Sequence, residues 1–138
     1  MVVFAYNLHH VALAVLDLDA ALADYARMFG AAPESREIVV EQGVEEAMIP
    51  IGGSNLQLLS PLSRDTAVGR FLERRGEGLH HIAIAVVSIE DALEHMKSSG
   101  ARLVDEEPRV GGGGHRIAFV HPATLAGTLI ELVEIDEP

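Results

Sequence analysis

Two histidine pairs stand at matching points of a repeated segment. Leu8-His9-His10-Val11-Ala12-Leu13-Ala14-Val15 returns, 71 positions later, as Leu79-His80-His81-Ile82-Ala83-Ile84-Ala85-Val86. The correspondence continues: Ala21-Leu22 matches Ala92-Leu93, Ala47 matches Ala118, and Leu56-Gln57-Leu58-Leu59 matches Ile130-Glu131-Leu132-Val133. Two related modules can bring equivalent residues face to face across a pseudo-two-fold axis. Each would then offer one imidazole and one further polar group, His10 with Gln57 and His81 with Glu131. Two imidazoles, an amide oxygen and a carboxylate make a mixed N₂O₂ donor set. It suits an octahedral divalent ion with two positions left for water or a chelating substrate. A cation there can act as a Lewis acid on a carbonyl and stabilise a developing enolate.

Alternation selects one histidine of each pair, because successive strand side chains point to opposite faces. Leu8, His10, Ala12 and Ala14 share one face; His9, Val11, Leu13 and Val15 share the other. The bulky aliphatic face should pack on helices. The alanine face should leave space, as the floor of a cavity would. This favours His10 and His81 as ligands and leaves His9 and His80 as half-buried structural residues. A histidine on an apolar strand is more often a hydrogen-bonded core residue than a ligand. Gln57 and Glu131 on interior strands tip the balance, since a buried unpaired carboxylate is costly and a cation removes that cost.

The elements that must position these groups can be read along the chain. Residues 8–15 form a strand, and Asp17 caps a helix over about 18–29 that Gly30 stops. Residues 36–40 and 45–51 read as strands joined near Gln42-Gly43. A turn at Gly52-Gly53-Ser54 leads to a strand over 55–59, closed by Pro61. A connector over 62–78 contains a short helix from Arg64-Asp65-Thr66 to Arg75-Gly76. The second module repeats the order: a strand over 79–87, a helix over 89–99 capped by Ser88, and a short strand over 102–105. A loop over 106–114, strands over 116–121 and 128–134, and a polar tail over 135–138 follow. Each module is therefore βαβββ.

Composition narrows the chemistry. With 138 residues the chain has one domain's length, module one spanning about 7–61, the connector 62–78 and module two about 79–135. There is no Cys, which excludes disulfides, thiolate metal sites and a Cys nucleophile. The formal charge is −11 and no basic stripe is visible, so a nucleic-acid partner is not expected. No apolar run is long enough to span a bilayer. Met1 to Tyr6 shows no targeting pattern, so the expected location is cytoplasmic.

Several longer stretches carry a family resemblance: Glu41-Gln42-Gly43-Val44 with Glu46-Ala47; Gln57-Leu58-Leu59 before Pro61; Gly76-Glu77-Gly78-Leu79-His80-His81-Ile82-Ala83; Asp105-Glu106-Glu107-Pro108-Arg109; and Phe119-Val120-His121-Pro122. From about Leu8 to Val133 the chain resembles the methylmalonyl-CoA epimerases of the vicinal oxygen chelate (glyoxalase-like) superfamily. The resemblance implies an α+β fold in which two tandem βαβββ modules form a curved, partly open eight-stranded barrel around a metal site. It implies interconversion of (R)- and (S)-methylmalonyl-CoA, with His10, Gln57, His81 and Glu131 as metal ligands. Glu46 and Glu131 are then the two catalytic bases. Alternation sends Glu45 to the face opposite Glu46; without the resemblance, Glu46 would read as a solvated strand residue. Co2+ is the implied ion, and Mn2+, Ni2+ or Zn2+ suit the same site. A homodimer and a small acyl-CoA substrate are also implied.

His9 stands where the family often has Asp, and Ser60 where an acidic residue is frequent. Gly112, Gly113 and His115 fit the family loop loosely. That loop either approaches the substrate or is a plain hairpin connection. Arg109 and Arg116 are the candidates for holding the CoA moiety. His121 reads as a turn residue and His95 as a surface one. Two rivals remain: another metal-dependent member such as glyoxalase I (lactoylglutathione lyase), and a metal-free module of the drug-binding, bleomycin-resistance type.

Overall fold

The computed structural model describes residues 5–136. Met1 to Phe4, and Glu137-Pro138 of the expected tail, lie outside the described residues. The element order is β1 (Ala5–Ala14), α1 (Leu18–Phe29), β2 (Ser35–Val39), β3 (Val44–Ile51), β4 (Ser54–Pro61), α2 (Ala67–Arg75), β5 (Gly78–Val86), α3 (Ile89–Ser98), β6 (Arg109–Val110), β7 (Arg116–Val120) and β8 (Ile130–Glu134). This is an α+β chain with the βαβββ order twice, joined by a helix.

Local chemistry sets the helix ends. The Asp17 carboxylate accepts the Ala20 N–H at 3.0 Å, and Gly30 closes α1 in the left-handed conformation at φ 66°. The equivalent cap 71 positions on is Ser88, whose hydroxyl accepts the Asp91 N–H at 3.2 Å. Thr66 caps α2 by accepting the Gly69 N–H at 3.0 Å.

The chain forms two compact units, residues 10–80 and the remaining described residues. In the first, β2, β3, β4 and β1 lie side by side, with β1 parallel to β4 and the other pairs antiparallel. One sheet face packs Val15, Ala47, Ile49 and Leu58 against Leu18, Ala21, Leu22 and Tyr25 of α1. The α1 residues have the i, i+3, i+4, i+7 spacing of one helix face. The opposite face packs Ala12, Ala14, Val39, Val44 and Leu59 beneath Val68, Phe71 and Leu72 of α2. The alanine face is thus not simply an open floor. Small side chains on β1 let the connector helix lie close, and α2 covers Ala12 and Ala14. The approach within the connector is tight as well: a Cβ at Gly69 would stand 2.6 Å from the Ser63 carbonyl oxygen.

In the second unit β5 runs parallel to β8, and β7 is antiparallel to both β8 and β6. Val86, Ala118, Val120, Ile130 and Leu132 pack on Ile89, Ala92, Leu93 and Met96 of α3, which repeat the α1 spacing. The other face holds Ala83, Ile117, Phe119 and Val133 with Leu129 and Ile135. Ile135 also donates its N–H to Val86 at 2.9 Å, so the tail begins later than its polar composition suggests.

The strand expected over 102–105 does not form; only an isolated Leu103–Val120 bridge is present. The Phe119 carbonyl accepts the N–H groups of both Val104 and Asp105, while the Phe119 N–H goes to the Asp105 carboxylate. A side chain thereby takes a ladder position, and Pro108 brings no N–H. Pairing resumes at Arg109–Val110, inside the segment expected to be loop.

Candidate metal and proton-transfer site

The described residues that are polar or charged and yet buried are His10, Glu46, Gln57, His81 and Glu131, all at most 6% exposed. They are the same five side chains singled out from the sequence. Each module places its share by the same register. In β1–β4, Ala12 lies opposite Gln57; in β5–β8, Ala83 lies opposite Glu131. In both, the histidine stands two residues earlier on the alanine's face. His9 and His80 are half-buried, as alternation requires. Their rings meet other aromatic rings edge-on, His9 with His115 at 5.9 Å and His80 with Phe71 at 4.8 Å.

In the second module, His81 Nε2 lies 3.1 Å from Glu131 Oε1. That separation is a hydrogen bond's. It is also that of two neighbouring ligands on one octahedral ion, since bonds of about 2.1 Å at right angles put donors about 3 Å apart. The chemistry of the donors and their spacing therefore fit a divalent cation.

In the first module, Gln57 Nε2 donates to Glu46 Oε2 at 3.0 Å. Glu46 lies opposite Leu59 and Met48 opposite Gln57, so Glu46 and Gln57 are diagonal neighbours on one sheet face. Glu45 points the other way. Its carboxylate takes the Arg36 Nε–H at 2.9 Å, and Arg36 reaches on to Asp19 of α1. The two adjacent glutamates therefore have opposite settings, one surface-paired and one buried.

Phe119 was not singled out as a site residue by sequence reasoning. It lies opposite Glu131 in the β7–β8 ladder, and its ring meets the His81 imidazole at 90° with centroids 5.4 Å apart. The Arg109 guanidinium lies over the same ring at 5.6 Å and pairs with Asp105 at 3.4 Å. The available signal was its repeat position, 71 residues after Met48, which likewise faces the module's second polar residue.

The two arginines named for the CoA moiety differ in setting. Arg116 is engaged by Glu134 at 2.9 Å and by Glu90 of α3, and it holds the Glu90 carboxyl below its ordinary range. Arg109 keeps 40% of its side chain exposed beside Phe119. The glycine loop is a hairpin connection. β6 pairs with β7, and Gly111 donates its N–H to the His115 carbonyl at 2.8 Å. His121 fixes the turn after β7, its Nδ1 accepting the Ala123 N–H at 3.0 Å, and His95 is exposed.

A family model described as the Glyoxalase/Bleomycin resistance protein/Dioxygenase superfamily matches residues 9–119, and the chain belongs to that superfamily. Within it, several of the similar proteins are methylmalonyl-CoA epimerases. The human mitochondrial methylmalonyl-CoA epimerase is 36% identical, over 91% of this chain and 72% of its own length. The ethylmalonyl-CoA/methylmalonyl-CoA epimerase of Cereibacter sphaeroides is 35% identical, over 94% of this chain and 98% of its own. A Streptomyces coelicolor methylmalonyl-CoA epimerase variant, solved with 2-nitronate-propionyl-CoA, superposes with a TM-score of 0.92 at 38% identity, covering 97% of this chain and 99% of that one.

Proposed function

We propose that this protein interconverts (R)- and (S)-methylmalonyl-CoA. One observation carries the reading: among the described residues the buried polar side chains are two histidines, two glutamates and one glutamine, a set that is costly to sequester in an aliphatic chain unless it has work to do. The similarity to epimerases that act on malonyl-type thioesters supplies the substrate class.

In this reading His10, Gln57, His81 and Glu131 would hold one divalent cation, as the family resemblance implies. When bound, the ion supplies Lewis-acid stabilisation of negative charge on the thioester oxygen. Epimerisation removes the α-proton from one face of the α-carbon and returns one to the other face. Glu46 serves one face and Glu131 the other. Each is a buried carboxyl side chain, Glu46 at 6% and Glu131 at 5% exposure, and proton transfer requires the acyl group to bind within hydrogen-bond reach of it. Arg109, half-exposed beside Phe119, is the cation available for an anionic part of the thioester.

Co2+ is the ion to test first among Co2+, Mn2+, Ni2+ and Zn2+, because the resemblance to the epimerases implies it; the N₂O₂ donor set itself suits several of these ions. A homodimer and a cytoplasmic location belong to the same reading. Leu8 and Leu79, equivalent in the two modules and 44% and 69% exposed, are apolar surface that a second copy would cover. Among the described residues no helix is long and apolar enough to cross a membrane.

The test is incubation with either epimer in D₂O, with added Co2+ and with EDTA. Deuterium should enter the α-carbon and the epimers should interconvert only with metal. Absence of exchange with every one of the four ions would refute the proposal.

A further inference from the structure

Gln57 makes a contact that a metal ligand does not need. Its Nε2 donates to the Glu46 carboxylate at 3.0 Å, and both side chains are buried, at 5% and 6% exposure. The reverse amide orientation would set a carbonyl oxygen against a carboxylate, so the donor end must face Glu46. That leaves the amide oxygen pointing elsewhere. A carboxamide such as that of Gln can present an N–H to a carboxylate from one atom and an oxygen to a cation from another.

The two modules differ at this point. The repeat counterpart of Gln57 is Glu131, and that of Glu46 is Ile117. Ile117 lies opposite Val133 as Glu46 lies opposite Leu59. So Glu131 has an aliphatic diagonal neighbour where Gln57 has a carboxylate. A glutamate at position 57 would bring two carboxylates within hydrogen-bond distance in a buried site, where like charges oppose joint ionisation. The amide at 57 and the carboxylate at 131 are therefore not interchangeable versions of one ligand. The presence of Glu46 dictates the choice.

We infer that Gln57 is a positioning residue for the base Glu46, holding its carboxylate by the amide N–H while offering the amide oxygen to the cation. The inference rests on the epimerase reading and deepens it. One face of the substrate is served by a base tethered to the metal site through an amide. The other is served by Glu131, which is a metal ligand itself in that reading. Loss of the tether should damage proton transfer on one face only.

The experiment compares wild-type protein with Gln57→Glu, each saturated with Co2+, following deuterium uptake from D₂O into each epimer separately. Gln57→Glu keeps a ligand oxygen and replaces the neutral amide donor with a second carboxyl group that competes with Glu46 for a proton. Uptake should fall by about 10²–10⁴-fold for the epimer whose proton faces Glu46 and stay within about tenfold for the other, which gains deuterium without inverting. Equal loss for both epimers, or no loss for either, overturns the inference. A second measurement does not depend on that variant folding. In Zn2+-loaded, ¹⁵N-labelled wild-type protein, one Gln57 side-chain amide proton should be shifted downfield and slow to exchange with water, and Glu46→Leu should abolish this. A Gln57 amide that exchanges like a free one refutes the tether. If wild-type protein exchanges neither epimer, the epimerase reading fails, while the amide signal still reports the contact.

Discussion

Replacing Phe119 tests how the second half of the site is held. The ring is 8% exposed and packs with Ala83, Ile117 and Val133. It also meets His81 edge-on and lies under Arg109. Truncation of a buried Phe to Ala costs about 3–5 kcal/mol through lost transfer energy and the cavity left behind. Phe119→Leu keeps most of the apolar burial and removes the ring contacts. An aromatic pair is worth about 0.5–1.5 kcal/mol and a partly exposed cation–π contact about 0.5–1 kcal/mol. The Leu variant should therefore lose about 1–2.5 kcal/mol. Urea denaturation in EDTA reads both values free of any metal contribution. The Leu variant should also bind Co2+ about 10–100-fold more weakly, because a ligand's outer contacts orient it. Equal losses for Ala and Leu would show that the ring fills no real volume. A Leu variant with unchanged stability and metal affinity would refute the claim that Phe119 orients His81.

Saturating Co2+ should raise the melting temperature: ligand at 100 times its dissociation constant adds about 2.7 kcal/mol, and His81→Ala should abolish the shift measured by scanning calorimetry. Gly69→Ala should destabilise strongly although it replaces Gly in a helix, because the added Cβ meets the Ser63 and Arg64 carbonyl oxygens at 2.6 and 2.7 Å; a neutral or stabilising effect in denaturation would contradict the packing of α2. Glu90→Gln should destabilise at neutral pH. The hydrogen bond from Arg116 depresses the Glu90 carboxyl in the folded state, so its contribution is present above the ordinary carboxylate pKa and is lost as pH falls through the lowered folded value. The two unfolding curves should therefore converge in acid, and a gap that persisted there would assign the effect to another cause.

Much of this protein was legible along the chain because its signals are local or periodic. Asp17, Thr66 and Ser88 cap the helices because their side chains reach backbone N–H groups within the next turn. Alternation separated His10 from His9 and His81 from His80, since a strand turns every second side chain to the same face. The repeat then carried the argument from the histidines to Gln57 and Glu131, and the register of both parallel pairs agrees with that step.

What escaped the sequence depends on contacts between distant segments. Asp105 replaces a strand with its own carboxylate only because β7 presents the Phe119 N–H to it. The connector covers the alanine face only because β1, β3 and β4 bring Ala12, Val44 and Leu59 together beneath it. Glu46 and Glu45 are adjacent and identical in type, and alternation could say only that they differ. Burial of one and surface pairing of the other follow from what each sheet face meets, α1 and Arg36 on one side, Gln57 on the other. Residue order was enough to nominate the groups that do chemistry, because local geometry repeats. Which of them touch, and hence why one module carries an amide where the other carries a carboxylate, follows from strand register, which hydrogen bonds across the sheet establish.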